Sequence, residues 1–221
     1  VEEKAFDDFH LYTLPRQIDL RDQETKQVEF LRSDKLQAEK VYLYAPVGLR
    51  YRGNWNFGND SSKWPGDVST YWQFKNTREN GLGVPLPGGV VRFYRSDDAD
   101  GNLEFVGENR IEHTPKNEQV RVKTGTAFDL IGERTVTNFE ASDKKKTARE
   151  SFSITLKNRS EEVKTIIVRE PLWRWSNWKI ENSSMDFKKV DAQTIEFTVT
   201  LQPDTTQDLT YTAFYSAEPT E

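Results

Sequence analysis

The longest run of regular alternation lies near the middle of the chain, over residues 90–131. Val91 and Phe93 share one parity, and Arg92 and Tyr94 share the other. Beyond Asp100-Gly101, Leu103 and Phe105 alternate with Asn102 and Glu104, and Val120 and Val122 alternate with Arg121 and Lys123. Successive side chains of an extended strand point to opposite faces, so period-two runs predict strands with one apolar face. Alternation on both sides of an Asp-Gly pair, which tolerates the turn's backbone angles, predicts a hairpin.

The same grammar recurs elsewhere. Residues 9–14, 25–31, 38–45, 68–75, 133–139, 151–157, 163–170, 172–180, 195–201 and 209–215 all read as strands, with Phe152, Ile154 and Leu156 facing inward. Pro15 ends the first of these or places it at a sheet edge. Residues 1–6 read as a frayed lead-in, and 141–149 as a solvated charged loop. Residues 47–67 break the pattern: they are rich in Gly, Asn, Ser and Pro and predict a long loop carrying Trp55, Phe57 and Trp64. No stretch has the 3.6-residue apolar period of an amphipathic helix. Many short strands at even spacing predict sandwiches or barrels.

An internal echo refines that expectation. Residues 71–80 and 153–162 each run from an apolar strand into Lys-Asn and a charged turn, and each precedes another strand. Thr13-Leu14-Pro15 and His113-Thr114-Pro115 repeat a second phrase. The expected architecture is therefore all-β, with two immunoglobulin/fibronectin-like antiparallel β-sandwiches in tandem. The first would span 1–112 with the 47–67 loop, the second 113–221, and the hinge would lie near residues 111–116.

Composition narrows the chemistry. A chain of 221 residues fits one large β domain or two smaller ones. With 31 basic and 36 acidic residues the net charge is -5, which disfavours nucleic acid or an anionic membrane as partner. Cysteine is absent, which excludes disulfides, thiolate catalysis and Cys-based zinc sites. No run approaches the roughly 20 apolar residues of a membrane-spanning helix, so direct membrane insertion is not expected. The sequence opens VEEKAF, and is read as a processed chain or a fragment.

Candidate sites are few. Asp98 and Asp100, before Gly101, resemble the start of an oxygen-ligand calcium loop, but no distal acid follows and strand residues come at once. Turn chemistry accounts for them. Trp55, Phe57 and Trp64 lie among Asn54, Asn56, Asn59 and Asp60, and offer flat apolar faces with short polar partners. Sugars and protein partners are both held that way; packing over an open sandwich end is the plainer alternative. Trp173, Arg174 and Trp175 form a second cluster in which Arg174 can stack on a neighbouring ring, for packing or for binding. His10 and His113 are the only histidines and have no spacing for a zinc site. No Gly-x-Ser-x-Gly elbow marks a nucleophile, and Gly81-Leu82-Gly83 is too short a glycine loop for a dinucleotide. No carboxylate pair stands out as a hydrolase would require, so neither catalysis nor a cofactor is expected.

Several phrases together resemble a bacterial domain of unknown function found at the C-terminus of mucoidy-inhibitor A-like proteins. They are PLPGGVVRFYR, HTPKNEQVRVKTGTAFDLIGER, ITLKNRSEEVKTIIVRE and LTYTAFY, with FHLYTLPRQIDLRDQETKQVEF near the start. The resemblance covers most of the chain apart from residues 53–67. It implies an all-β domain that follows an N-terminal segment and a coiled coil, in a periplasmic or otherwise extracytoplasmic setting, with no catalytic residues to carry over. The expected function is a non-catalytic structural or protein-interaction module of a bacterial envelope protein. Its partner would be an envelope component or the rest of its own chain. The alternatives are a carbohydrate-binding module using the 55–64 loop, with a glycan as ligand, and third a hydrolase.

Overall fold

The structure is a computed structural model. It describes residues 2–7, 9–14, 17–26, 33, 36–46, 63–96, 101–142, 144, 146–175 and 177–217, with backbone alone at 2, 9 and 63–65. The described residues form thirteen strands and no helix. They are β1 (Glu2–Phe6), β2 (Phe9–Thr13), β3 (Glu39–Tyr44), β4 (Lys63–Lys75), β5 (Gly89–Ser96), β6 (Leu103–Ile111) and β7 (Gln119–Ser142). After these come β8 (Thr147–Asn158), β9 (Lys164–Pro171), β10 (Asn177–Ser183), β11 (Phe187–Asp191), β12 (Thr194–Leu201) and β13 (Thr206–Ser216). The all-β expectation therefore holds.

Some boundaries differ from the pattern reading. Residues 2–6 pair with β2 as a strand, although their alternation is weak. Residues 63–67, expected in the loop, belong to β4. The charged segment 141–149 is mostly strand, because β7 and β8 extend to Ser142 and from Thr147. Leu172 to Trp175 is not strand, and the chain re-enters a sheet at Asn177.

The chain divides into two compact units, each built from two segments: 1–40 with 72–124, and 41–71 with 125–221. Residues 111–116 lie within the first. In that unit β5 and β6 pair antiparallel with a bulge at Phe93/Tyr94, and Val91, Phe93 and Ile111 face a small core of Phe74, Val120 and Val122. The Trp72 ring stacks on Phe93, with centroids 6.0 Å apart.

The second unit holds most of the apolar core. Its strands belong to a nine-stranded sheet ordered β10-β13-β8-β7-β4-β3-β9-β12-β11. The sheet is mixed, because β3 and β9 run parallel, with Tyr44 opposite Val168. Phe197 of β12 and Tyr211 of β13 are far apart in that order, yet their rings lie 5.5 Å apart. The sheet therefore folds over so that its two ends face each other across a shared core, which is a sandwich. Residues of β8 alternate between buried and half-buried along its whole length, as a central strand of such a layer should.

The sequence echo has a structural counterpart. Asn76 directly follows β4 and Asn158 ends β8, each after a lysine, and each is fully buried. Asn76 Nδ2 donates to the carbonyls of Val84 (2.7 Å) and Pro115 (2.9 Å), and its backbone N–H donates to Glu118 O (2.9 Å). Asn158 Nδ2 donates to Glu162 O (2.8 Å) and Gln202 O (3.1 Å), and its backbone N–H donates to Thr205 O (2.9 Å). In each opposing turn one residue takes a left-handed conformation, Asn117 at φ 69° and Asp204 at φ 49°. Asn and Asp adopt that region more readily than other side chains.

Candidate functional site

Strand parity explains why the second unit buries charge. The inward positions are Leu130, Gly132, Arg134 and Val136 on β7, Ala148, Glu150, Phe152 and Ile154 on β8, and Ile166, Val168 and Glu170 on β9. On β13 they are Leu209, Tyr211, Ala213 and Tyr215. Three charged side chains thus stand on faces that are otherwise apolar. Burying a charge is costly unless it is paired and hydrogen-bonded.

Both buried carboxylates are paired. Arg134 Nε–H donates to Glu170 Oε2 at 2.8 Å, and the Tyr211 hydroxyl donates to the same oxygen at 2.5 Å. The Arg134 side chain is 5% exposed and that of Glu170 0%. The guanidinium also lies 4.0 Å from the centre of the Phe152 ring. A second pair joins Arg174 Nη2 to Glu150 Oε1, again with both side chains buried. The Arg174 guanidinium lies 4.5 Å from the centre of the Phe139 ring and 4.7 Å from that of Trp173.

The electrostatics follow from this arrangement. Burial raises the Tyr211 hydroxyl well above its ordinary range, the Glu170 carboxylate adds to the rise, and Arg134 opposes it. Tyr215 is raised by burial and then by Glu150. Tyr44 is raised by burial and then by Glu170. For Arg134, burial lowers the pKa, but the Glu170 carboxylate and the Tyr211 hydroxyl more than offset it and the net shift is upward. The cluster keeps its tyrosines neutral. It can hold the two layers in one mutual register, and its carboxylates are not presented to solvent.

A different surface is exposed in the first unit. Cross-strand partners of β5 and β6 put Arg92 with Glu108, Tyr94 with Phe105 and Ser96 with Leu103 on one face. Arg92 Nε–H donates to Glu108 Oε2 at 2.7 Å, and the Tyr94 and Phe105 rings meet edge-on at 5.7 Å. Leu103 is 70% exposed, Phe105 56% and Tyr94 54%. The opposite face of the hairpin is the one that packs on Phe74, Val120 and Val122.

The chain matches no family model, no curated protein and no solved structure. The site is therefore read from its own chemistry.

Of the sequence candidates, Trp173, Arg174 and Trp175 lie in the connector between β9 and β10. Arg174 stacks on Trp173, while half-buried Trp175 packs against the core. Trp178 is half-buried too, and its Nε1–H donates to Ala192 O at 2.8 Å. Trp55 and Phe57 lie outside the described residues; Trp64 stands in β4, with its side chain outside them. Asp98 and Asp100 also lie outside them, while Gly101 beside them has φ 73°. Among the described residues no group of three or more His, Asp or Glu is placed to hold a metal. His10 Nδ1 lies 2.7 Å from Glu3 Oε1, and His113 Nδ1 accepts the Gly88 N–H at 3.1 Å. No helix among the described residues is long and apolar enough to cross a membrane.

Sequence reasoning missed Arg134, Glu150 and Glu170. The signal was present: continuing the inward parity of Phe152, Ile154 and Leu156 one step back lands on Glu150, and continuing Ile166 and Val168 forward lands on Glu170.

Proposed function

We propose that this chain is a non-catalytic structural or protein-interaction module of a bacterial cell-envelope protein. It acts outside the cytoplasm, in the manner of the domain that ends mucoidy-inhibitor A-like proteins. The observation that carries the interaction reading is the outward face of the β5–β6 hairpin. There Tyr94, Phe105 and Leu103 stand exposed together, beside the Arg92–Glu108 ion pair. Exposed aromatic residues flanked by charge are the usual anchors of protein interfaces. The non-catalytic reading is supported by the buried carboxylates, each held by an arginine inside the core. An immunoglobulin- or fibronectin-like sandwich in each unit is the finer architectural reading. It is supported by the folded-over sheet of the second unit and by the repeated Asn-centred turn.

The test is crosslinking of the purified chain to detergent-solubilised envelope proteins. A defined protein should be captured by the wild type and lost with Phe105→Ser and Leu103→Ser, both of which should fold normally. Equal capture by wild type and both variants would remove the hairpin face from the interface and sink this reading.

A carbohydrate-binding module is the second reading. It is favoured by half-exposed Trp173 and Trp175, which follow the end of β9. The other aromatic residues it would use, Trp55 and Phe57, lie outside the described residues. Titration with envelope glycans should quench tryptophan fluorescence, and Trp173→Ala or Trp55→Ala should abolish the response. Silence across a broad glycan panel would end this alternative.

A further inference from the structure

The ion pair between Arg174 and Glu150 uses only half of its hydrogen-bonding capacity. Arg174 Nη2 donates to Glu150 Oε1, but Arg174 Nε–H and Glu150 Oε2 have no partner, and both atoms are buried. A side-on guanidinium–carboxylate pair would join those two atoms directly. Here the single Nη2–Oε1 contact leaves a donor and an acceptor of the same pair unmet.

The Tyr215 hydroxyl is a third buried polar atom without a partner. The β8–β13 register sets Ala213 opposite Glu150 and Tyr215 opposite Ala148, so Tyr215 is the diagonal neighbour of Glu150 on the inward face. Diagonal neighbours lie within reach of long side chains. The same carboxylate and guanidinium both act on the ionisation of Tyr215. Buried polar atoms in native proteins are almost always satisfied, by protein or by ordered water.

We propose that one tightly held internal water joins Arg174 Nε, Glu150 Oε2 and Tyr215 Oη in the core of the second unit. The chemistry of the three atoms selects water over an ion. A guanidinium and a carboxylate already cancel in charge, so a neutral occupant is required. The water accepts from Arg174 Nε–H, donates to Glu150 Oε2, and completes its shell with the Tyr215 hydroxyl. Three partners is the usual complement of a buried water. Phe139 and Trp173, whose rings both lie against the guanidinium, help to hold the donor in place.

A high-resolution crystal structure of the whole chain tests this directly. The expected result is a single water within hydrogen-bond distance of all three atoms. A direct Arg174 Nε–Glu150 Oε2 contact, or a water touching fewer than three of the atoms, overturns it. In solution, the long-lived water should give a magnetisation-transfer signal to amides beside Glu150. Tyr215→Phe should weaken that signal by at least about ten-fold through faster exchange. A folded Tyr215→Phe protein with the signal unchanged would overturn the three-point site.

Discussion

Asn76 and Asn158 are the same device in two different units. Each closes a strand with a fully buried carboxamide whose donor side ties the carbonyls of two separate turns together. The acceptor side of each also takes a backbone N–H, from Gly83 and from Ser160, both at 3.0 Å. One side chain thus satisfies polar groups that burial would otherwise strand.

Replacing either residue tests the equivalence. Asn76→Ala and Asn158→Ala should each destabilise by about 2–4 kcal/mol, since several buried backbone groups lose their partner at once. Asn158→Asp should cost at least as much at neutral pH, because it keeps the acceptor, loses the donor, and turns a negative charge toward Gln202 O and Glu162 O. Urea denaturation of the three variants is the measurement. A loss below about 1 kcal/mol for both alanine variants would show that these contacts are incidental.

The Arg134–Glu170 pair makes a second prediction. Removing one partner strands a buried charge, so Arg134→Met and Glu170→Leu should each cost about 3–5 kcal/mol. The double variant should cost much less than their sum, because it buries apolar groups in place of both charges. A double-mutant cycle reads the coupling directly. Additive losses would mean that the two residues stabilise the fold independently.

How much of this was legible in the sequence depends on what each position needs. Period-two parity around Asp100-Gly101 placed the β5–β6 hairpin, with Val91 and Phe93 inward as observed, but Leu103 and Phe105, read from the same alternation, stand exposed on the other face beyond the bulge at Phe93/Tyr94. The Lys-Asn echo pointed to Asn76 and Asn158, although each carboxamide also ties a carbonyl about forty residues away in sequence. Neither the parallel pairing of β3 with β9 nor the folding of the sheet was legible, because both depend on which strands meet and parity fixes only faces. The buried charges were missed because a charged residue on a strand is ordinarily taken as facing solvent. Of the proposed binding residues, Arg174 was expected near a tryptophan, but its partner Glu150 lay in a different strand with no sequence cue linking them.

Gly132 makes a third prediction through its neighbour. A Cβ at this position would overlap the Tyr44 ring, which is fully buried. Gly132→Ala should therefore force an overpacked core and cost about 1–3 kcal/mol. Gly125→Ala is the control, since a Cβ there meets nothing within 4 Å. A thermal melt in which the two variants match would disprove the ring contact.

The buried tyrosines predict how stability responds to alkali. Tyr44, Tyr211 and Tyr215 all have hydroxyls raised above the ordinary 10.0, with burial the leading cause in each. In the unfolded chain these groups ionise near pH 10, whereas in the folded chain they hold their protons to higher pH. Between those limits the folded state binds more protons than the unfolded one, so rising pH favours unfolding. The stabilisation is complete below about pH 10 and should be lost above it, at about 1.4 kcal/mol per pH unit for each tyrosine still protonated in the fold. Urea midpoints should be level from neutral pH to the onset of tyrosine ionisation and then fall steeply. Other groups also titrate in this range, so the decisive comparison is with Tyr211→Phe and Tyr215→Phe, each of which should remove one tyrosine's share of the slope. If both variants lose stability with alkali as steeply as the wild type, the hydroxyls are reaching solvent and the buried cluster is not as closed as its geometry requires.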